Sequence, residues 1–372
     1  MMHIQVVTPS LSKKSGGVGI AVLNTYSHFS ELFCDDNVEI LSLHPYDDDS
    51  SRAERLKLTW FHRSLLSQLG YSKDLIAYAR NIAPDVVHTH GIWMATSAYQ
   101  NKLSVLYNTP AIISPHGMLD PWILSRGYHK KIVARLLYEN KAWKSCRFFH
   151  ALNNREADAI RSVIPKADIE VIPNGVDVPH EYVEKSYSVV RKILFLGRFH
   201  PKKNVHSIVE AVSLIDCNEY NRRPFVLQLA GWGDESYISE LRGRIAETYP
   251  ERFEWIGPVF GEAKKDIFNN AHAFLLPSFS EGLPVAILEA WASGLIPLMS
   301  ENCNLNEAFS ESVAINTGVT PDSIRASIRE FMEMSDSEVR DVSLAGYGYV
   351  RKLYNWSVVC SAYKELYEEA CS

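Results

Sequence analysis

The sequence has no stretch that could form a membrane-spanning helix. Such a helix needs about 18 uninterrupted apolar residues, and no run of that length occurs among the 372 residues. The opening residues, MMHIQVVTPS, also lack the longer apolar core of a secretory signal peptide. We therefore expect a protein that works in the cytoplasm.

Cysteine motifs and acidic clusters that would bind a metal are also scarce. The six cysteines are scattered, without C-x-x-C or zinc-finger spacing, which favours free thiols in a reducing compartment. The acidic run Asp47–Asp49 could suggest a metal-binding Asp-x-Asp. It stands among serines without partner ligands, so a solvated loop is the better interpretation. We expect no metal ion and no cofactor.

The chain has no excess of positive charge. Its net charge of −6 gives no reason to expect nucleic-acid binding. A hydrophobic fraction of 46% and a charged fraction of 22% are typical of a globular protein. Since 372 residues exceed one ordinary hydrophobic core, we expect two domains.

The clearest local pattern lies in residues 271–295, AHAFLLPSFSEGLPVAILEAWASGL. An apolar run closed by proline predicts a buried strand, and the next proline and the last glycine bracket a helix. Ligands of such sheets bind beyond the strand ends, where a helix N-terminus attracts phosphate. Glu281 and Glu289 could there accept hydrogen bonds from ligand hydroxyls. An acid favouring the helix dipole and a solvated glutamate are the simpler alternative.

A second predicted strand end is basic. The apolar run 192–197 leads into a loop that contains Arg198 and Lys203. A guanidinium and an ammonium group can neutralise a diphosphate without a metal ion. Taken alone, this loop could equally be a solvated surface feature.

The N-terminal half has glycines and histidines at predicted strand ends. The segment KKSGGVG, with Gly16 and Gly17, would let a phosphate approach a helix start, although a flexible turn explains it equally well. His90 and His116 each end a predicted strand and precede a glycine. No acid or thiol accompanies them, so zinc binding is less plausible than ordinary hydrogen-bonded loop histidines.

Residues 121–149 are locally basic. They contain seven lysines and arginines against one acid, Glu139, with apolar residues at roughly helical spacing. A basic amphipathic helix with tryptophan is typical of a segment that lies on an anionic membrane surface. A core helix with a solvated basic face is the alternative.

Together these motifs resemble those of family 4 of the retaining glycosyltransferases, which have the GT-B fold. The glycine loop, the histidine strings DVVHTHGIW and PHGMLDPW, the R-x4-K of 198–203 and the E-x7-E of SEGLPVAILE occur in the family's order. The histidine strings are similar to those of bacterial surface-polysaccharide transferases. The resemblance implies an α/β protein with two Rossmann-like domains whose parallel sheets face an interdomain cleft.

The resemblance also implies roles for individual residues. Arg198 and Lys203 would neutralise the leaving diphosphate, Glu281 would contact the donor sugar, and His116 would face the sugar and the acceptor. The family usually has glycine where this chain has Asn204. Glu289 would hold the ribose, and the remaining substrate-binding candidates are Gly16, Gly17, His90, Asn174, Val259, Phe260, Gly282 and Leu283.

The implied domains are an acceptor-binding domain over 1–180, completed by a C-terminal helix near 350–372, and a nucleotide-sugar-binding domain over 190–349. The polar, patternless segment 178–192 would link them. The implied reaction transfers a sugar from a nucleoside diphosphate sugar to a glycan or polyprenyl-diphosphate-linked acceptor, with retention. Alternatives are a nucleotide-sugar epimerase of GT-B type and a noncatalytic nucleotide-sugar-binding subunit.

Overall fold

The structure, a computed structural model, comprises two compact units. Unit 1 consists of Met1–Gly175 and Trp356–Ser372, and unit 2 consists of Val176–Asn355. Residues 176–180 and 350–355, which the sequence assigned to the first domain, therefore belong to unit 2. The structure describes residues 1–12, 17–44, 56–64, 69–79, 81–185 and 190–372, apart from the side chain of Trp122.

Unit 1 is built on a parallel sheet. Its described strands are β1 (His3–Thr8), β2 (Asn37–Ser42), β3 (Lys57–Trp60), β4 (Val86–His90), β5 (Ala111–Ser114), β6 (Cys146–Ala151) and β7 (Ile169–Val171). They lie in the order β3-β2-β1-β4-β5-β6-β7. All residues of β4 and β5 are buried, as expected where helices cover both faces of a parallel sheet. This order contains the doubly wound arrangement of nucleotide-binding folds.

The described helices of unit 1 connect these strands. They are α1 (Gly17–Leu32), α2 (Lys73–Tyr78), α3 (Thr96–Tyr107), α4 (Pro121–Ser125), α5 (Tyr128–Ala134), α6 (Asn140–Ser145) and α7 (Asn154–Val163), with a π-helical turn at Arg135–Glu139 between α5 and α6. Asn153 begins α7 because its side chain accepts a hydrogen bond from the Glu156 N–H at 2.9 Å.

The basic segment 121–149 is not the single helix that its periodicity predicted. Gly127, in the left-handed region at φ 62°, separates α4 from α5. The helical run then passes through the π turn and ends at Ser145, immediately before β6. Within the π turn, Leu136 and Leu137 are 70% and 60% exposed, whereas the two residues that follow them are buried.

Unit 2 repeats the doubly wound plan. Its strands are β8 (Arg191–Leu196), β9 (Phe225–Ala230), β10 (Phe253–Gly257), β11 (Ala273–Leu276), β12 (Ile296–Met299) and β13 (Ile315–Asn316), all parallel in the order β10-β9-β8-β11-β12-β13. Its described helices are α8 (Val205–Ser213), α9 (Cys217–Arg222), α10 (Glu235–Ala246), α11 (Gly261–Asn270), α12 (Val285–Ala292), α13 (Glu307–Ser310), α14 (Pro321–Glu333) and α15 (Asp336–Leu353). Capping boxes at Thr320 and Ser335 define the starts of α14 and α15.

The predicted linker 178–192 is packed on unit 2 where the structure describes it. The Tyr182 hydroxyl lies 2.9 Å from the Ser343 hydroxyl. The Lys185 ammonium donates to the carbonyls of Phe268 and Asn269, each at 2.9 Å. Burial lowers the pKa of Lys185 to about 8. The segment lacks periodicity because individual long-range contacts, rather than a helix or strand, hold it in place.

The last helix, α16 (Trp356–Cys371), belongs to unit 1. Trp356 stacks on His28 with ring centroids 4.4 Å apart. A Cβ atom at Gly175 would lie 2.2 Å from the Trp356 ring, so a glycine is required at this contact. Tyr363 and Tyr367 are almost fully buried in unit 1.

The predicted α/β class with two Rossmann-like domains is confirmed by these two parallel sheets. Among the described helices, none is both long enough and apolar enough to cross a bilayer.

Candidate active site

Lys203 and Glu281 form an ion pair beyond the ends of paired strands β8 and β11 of unit 2. The Lys203 ammonium lies 2.5 Å from Glu281 Oε1, and the side chains are 23% and 12% exposed. The Ser278 hydroxyl donates to the same carboxylate at 2.6 Å. The pair places a cation and a hydrogen-bond acceptor side by side. Such a pair could serve a phosphate and a sugar hydroxyl.

Asn204 holds the two loops of this pair together. It adopts φ 61°, in the left-handed region that asparagine enters more readily than most residues. Its side-chain amide donates to the carbonyls of Pro277 and Val319 at 3.1 and 2.8 Å. Asn204 therefore keeps the backbone conformation that the family's glycine would allow, and it adds two anchors.

Arg198 is exposed and lies two residues beyond the end of β8. The end of the neighbouring strand β9 approaches this loop closely. A Cβ atom at Gly231, which has φ 139°, would lie 1.8 Å from the Gly197 carbonyl oxygen. This approach brings the Arg198 loop beside Asp234. Hydrogen bonds from Ser236 lower the pKa of Asp234, and the charge of Arg198 contributes in the same direction.

Glu289 forms a second ion pair. The Lys264 ammonium, on α11, lies 2.6 Å from Glu289 Oε1 on α12, and the two side chains are 32% and 27% exposed. A ribose that bound Glu289 would have to share this carboxylate with Lys264 or displace it. Sequence analysis did not identify Lys264.

The loop after β10 contains two of the predicted substrate-binding residues, Val259 and Phe260. Val259 is half-buried, and Phe260 is 68% exposed. The Phe260 ring lies 5.7 Å from that of Trp232, which is 48% exposed. The two rings form an open aromatic surface at the ends of neighbouring strands β9 and β10.

Gly282 and Leu283 lie between the two predicted glutamates. Gly282 is exposed and Leu283 is buried. The Asn304 side chain donates to the carbonyls of Glu281 and Gly282 at 2.7 and 3.0 Å. Asn304 thus fixes the loop that leads into α12.

In unit 1, His90 and His116 contact each other directly. His90 Nδ1 lies 2.9 Å from His116 Nε2, and the rings stack with centroids 5.1 Å apart. Burial lowers the pKa of His116 to about 3 and places that of His90 well below its usual value. Both rings are therefore neutral near pH 7.

Glu156 fixes the turn that contains His116. His116 and Gly117 have φ 53° and 74°, so both lie in the left-handed region. The Glu156 carboxylate accepts hydrogen bonds from the Gly117 N–H at 2.6 Å and the Leu152 N–H at 2.9 Å. Burial raises the pKa of this carboxyl group. Sequence analysis did not identify Glu156, whose partners are backbone groups.

The remaining predicted residues have fewer defined contacts. Gly16 and the acidic run 47–49 lie outside the described residues. Gly17 begins α1, and a Cβ atom at this position would meet no described atom within 4 Å. Asn174 is half-buried and immediately precedes Gly175. The substrate-binding roles of these residues stay predictions.

The structure thus brings predicted residues from distant segments together in two pairs: Lys203 with Glu281, and His90 with His116. Glu289 pairs instead with Lys264. Over the residues that the structure describes, no cluster of three or more His, Cys, Asp or Glu side chains has a metal-binding arrangement. The strand period of two could have placed His88 and His90 on one face of β4, but their partners come from distant segments.

Two sequence families match the two halves of the chain. The family described as Glycosyltransferase Family 4 matches residues 15–179, and the family described as Glycosyl transferases group 1 matches residues 183–344. A relative with 25% identity is the GDP-mannose:cellobiosyl-diphosphopolyprenol alpha-mannosyltransferase of Xanthomonas oryzae, over 99% of this chain and 97% of the relative. The UDP-Gal:alpha-D-GlcNAc-diphosphoundecaprenol alpha-1,3-galactosyltransferase of Escherichia coli is 24% identical, over 80% and 78%.

Solved structures share the whole fold. HepE of Anabaena in complex with UDP superimposes with a TM-score of 0.79 at 14% identity, covering 99% of this chain and all of the other. The lipopolysaccharide outer core galactosyltransferase WaaB gives a TM-score of 0.75 at 18% identity, with 99% and 100% coverage. The two family matches and the shared fold define a two-domain α/β glycosyltransferase of the GT-B class. The two halves of the chain thus belong to glycosyltransferase families, as the motifs predicted.

Proposed function

We propose that this protein transfers a sugar from a nucleoside diphosphate sugar to a hydroxyl of a polyprenyl-diphosphate-linked glycan in the synthesis of a cell-surface polysaccharide. The observation that best supports this proposal is the Lys203–Glu281 pair at the paired ends of β8 and β11. The named activities of the two polyprenol-linked relatives support the same acceptor class.

The cations of unit 2 stabilise the leaving group in the proposed reaction. As the bond from the sugar to the diphosphate breaks, negative charge accumulates on the phosphate oxygens. Lys203 and Arg198 neutralise that charge without a metal ion, and such electrostatic stabilisation is usually the largest contribution to catalysis. The ligand phosphate takes the place of Glu281 at the Lys203 ammonium, which frees the Glu281 carboxylate to accept hydrogen bonds from sugar hydroxyls.

Retention at the anomeric carbon is part of the proposal. The leaving diphosphate itself accepts the proton of the attacking hydroxyl, so the mechanism needs no pair of carboxylates of the glycosidase kind. Glu289 binds the ribose hydroxyls, and the loop of Val259 and Phe260 binds the base. His116 contacts a sugar hydroxyl.

A thermal-shift screen followed by a transfer assay tests the donor. The panel contains GDP-mannose, UDP-galactose, UDP-glucose and the free diphosphates, because the relatives named above use different nucleotides. A true donor raises the melting temperature by mass action. We expect transfer to a polyprenyl-diphosphate oligosaccharide in the presence of EDTA, with an α-linked product from an α-linked donor.

The same assay separates the alternatives. Epimerised free donor without glycan transfer would establish the epimerase. Donor binding without turnover on any polyprenyl-linked acceptor would favour a noncatalytic subunit. Loss of transfer in EDTA that Mg²⁺ or Mn²⁺ restores would overturn metal independence.

We also propose that residues 128–147 contact an anionic membrane surface on the cytoplasmic side. Exposed apolar and basic side chains alternate there: Tyr128, Lys130, Ile132, Val133, Arg135, Leu136, Leu137, Lys141, Lys144 and Arg147. Apolar side chains that insert among head groups and lysines that attract anionic lipid act additively. Lys131 is different, because its ammonium donates to the Ile123 and Arg126 carbonyls inside the protein.

Flotation with vesicles tests this surface. Vesicles with and without about 30% anionic lipid, roughly the range that attracts basic segments, are mixed with wild type, Lys130→Glu/Lys141→Glu and Leu136→Ser/Leu137→Ser. We expect both double variants to bind less. Val105→Ser is the matched control, because Val105 is 76% exposed on α3 outside the segment. Equal flotation of all four proteins would contradict membrane contact.

A further inference from the structure

A buried hydrogen-bonded chain in unit 1 connects helix α16 to His116. Apart from His116, its side chains are almost completely buried. Its consecutive contacts measure 2.6–2.9 Å, within the range of hydrogen bonds. In order of contact, the chain consists of the Ile172 carbonyl, His150, Ser114, His88, the hydroxyls of Tyr26 and Tyr367, His90 and His116.

The histidines of this chain are neutral near pH 7. Burial lowers the pKa of His150 to about 4 and that of His116 to about 3, and it places those of His88 and His90 well below their usual value. A neutral imidazole has one donor and one acceptor nitrogen. The position of each proton can therefore be found from its neighbours.

The Ile172 carbonyl sets the direction at one end, because it can only accept. It lies 2.7 Å from His150 Nε2, so Nε2 holds the proton and Nδ1 accepts. The Ser114 hydroxyl, 2.6 Å from that Nδ1, must donate to it. Ser114 then accepts the proton of His88 Nε2 at 2.6 Å, which leaves His88 Nδ1 as an acceptor. The Tyr363 hydroxyl is 3.4 Å from His150 Nε2, too distant to compete with the carbonyl.

Two tyrosine hydroxyls meet His88 Nδ1 in a triangle. Tyr26 and Tyr367 each lie 2.9 Å from this nitrogen and 2.7 Å from each other. Two hydroxyl oxygens 2.7 Å apart are at hydrogen-bond distance, so one hydroxyl donates to the other. The second hydroxyl donates to His88 Nδ1, which can only accept. Both hydroxyl protons are then used inside the triangle. His90 Nε2 consequently donates to the Tyr26 hydroxyl oxygen, 2.9 Å away.

The same assignment of donors and acceptors fixes the proton between His90 and His116. Since His90 Nε2 donates, His90 Nδ1 accepts, and the proton between the two rings comes from His116 Nε2. We propose that this chain fixes the tautomer of His116, with the proton on Nε2 and with Nδ1 as an acceptor for a sugar hydroxyl. His90 and Tyr26 are positioning residues for that acceptor. The ligand part of this inference rests on the proposed function of His116.

The tautomer of His116 determines which ligand group its free nitrogen can bind. An imidazole nitrogen without a proton attracts a hydroxyl donor and repels phosphate oxygens, which are acceptors. His116 would therefore orient a sugar hydroxyl without holding the diphosphate. Were its tautomer free to change, the same ring could donate to a phosphate oxygen and bind the donor in a second, unproductive way.

Two tyrosine variants separate positioning from ordinary packing. Tyr26→Phe removes the hydroxyl that joins His88 to His90. The direction of the hydrogen bonds at His88 then no longer fixes the tautomers of His90 and His116. Tyr367→Phe is the matched control, because Tyr26 can still donate to His88 and accept from His90. Both variants remove one oxygen from the same buried triangle.

The measurement is a long-range ¹H–¹⁵N correlation spectrum of protein labelled at its 13 histidines, with His116 assigned from a His116→Asn sample. We expect the Nε2–H tautomer at His116 in wild type and in Tyr367→Phe, and a shift toward Nδ1–H in Tyr26→Phe. A wild-type His116 or His150 protonated at Nδ1 would overturn the proposal without any variant. So would an unchanged His116 tautomer in folded Tyr26→Phe.

Kinetics distinguish failure of the chain from failure of the proposed function. With the donor identified by thermal shift, we expect kcat of Tyr26→Phe to fall about tenfold further than that of Tyr367→Phe, with little difference in KM. If the spectra follow the expectation but both variants keep wild-type kcat, the tautomer assignment stands and the contact of His116 with substrate is wrong.

Discussion

The two candidate sites of this protein use opposite kinds of chemistry. In unit 1, neutral histidines and tyrosines form a buried chain that ends at His116. In unit 2, Lys203 with Glu281 and Lys264 with Glu289 are partly exposed ion pairs. The first arrangement is fixed before any ligand arrives, and protonation would disrupt it. The second is partly open to solvent. In the proposed function a diphosphate would replace Glu281 at Lys203, and a ribose would replace Lys264 at Glu289.

The largest expected effect is a loss of folding stability in acid. Unfolded histidines gain protons below pH ~6.5, whereas buried His88, His90 and His150 stay neutral until far lower pH, so their contribution to stability is lost as pH falls from 6.5 toward 4. Each unit of pH below 6.5 costs about 1.4 kcal/mol per histidine, or about 4 kcal/mol for three. Urea unfolding of Glu139→Gln at pH 7.5 and 5.5 measures this loss, because the raised pKa of Glu139 would offset about 2 kcal/mol of it in wild type.

Hydrogen exchange at the same two pH values assigns the loss to a unit. After correction for intrinsic exchange, peptides from β4 and β5 should lose more protection than peptides from β8 and β11. In unit 2, burial also lowers the pKa of His206, but that side chain is 27% exposed. Equal loss in both units would contradict the comparison.

Removing the Lys203 ammonium from unit 2 should lower turnover and leave the fold intact. Lys203→Ala should lower kcat by about 10²–10³-fold, about 3–4 kcal/mol, as expected when a group that stabilises developing charge is lost. Lys202→Ala is the matched control, since Lys202 is exposed in the same turn. Steady-state kinetics and circular dichroism of both variants provide the measurement, and wild-type kcat in Lys203→Ala would eliminate the assigned role.

Glu139, a buried acid of unit 1, should give the opposite dependence of stability on pH. Glu139 accepts hydrogen bonds from the Trp93 N–H at 2.5 Å and the Ser97 hydroxyl at 3.1 Å, and burial raises its pKa to about 7. A raised pKa means that stability is lost as pH rises through 7. Between pH 5.5 and 8 wild type should lose about 2 kcal/mol that Glu139→Gln does not lose.

Urea unfolding of wild type and Glu139→Gln at both pH values tests this difference. Glu170→Gln is the control, because it removes an exposed carboxylate of the same unit. Parallel pH profiles for wild type and Glu139→Gln would show that Glu139 titrates normally.

The smallest effect is expected at the ribose. Glu289→Ala should weaken nucleoside diphosphate binding about tenfold, near the lower limit for a hydrogen bond to a charged group, because Lys264 already satisfies part of this carboxylate. kcat should change less than KM. Calorimetric titration with the nucleotide measures the affinity, and Glu262→Ala on exposed α11 surface is the control. A Kd equal to that of wild type would place the ribose elsewhere.

The motifs that the sequence revealed are those whose residues are close together along the chain. Glu281 and Glu289 share one loop and helix, and Arg198 and Lys203 share one loop, so their spacing was visible without a structure. The strands of unit 2 were predictable for a similar reason, since continuous apolar runs identify buried strands. The π turn of 135–139 was not, because helical periodicity does not reveal where an extra residue enters a turn.

What sequence alone determined is the α/β class, the two Rossmann-like domains and the charged motifs of unit 2. Only the tertiary structure decided the partners: Glu156 with Gly117, Lys264 with Glu289, and Tyr367 beside Tyr26, 341 positions apart. The physical reason is that local spacing determines which side chains share a loop or face. The direction of a hydrogen bond and the neutrality of a buried histidine depend on groups that folding brings from distant segments.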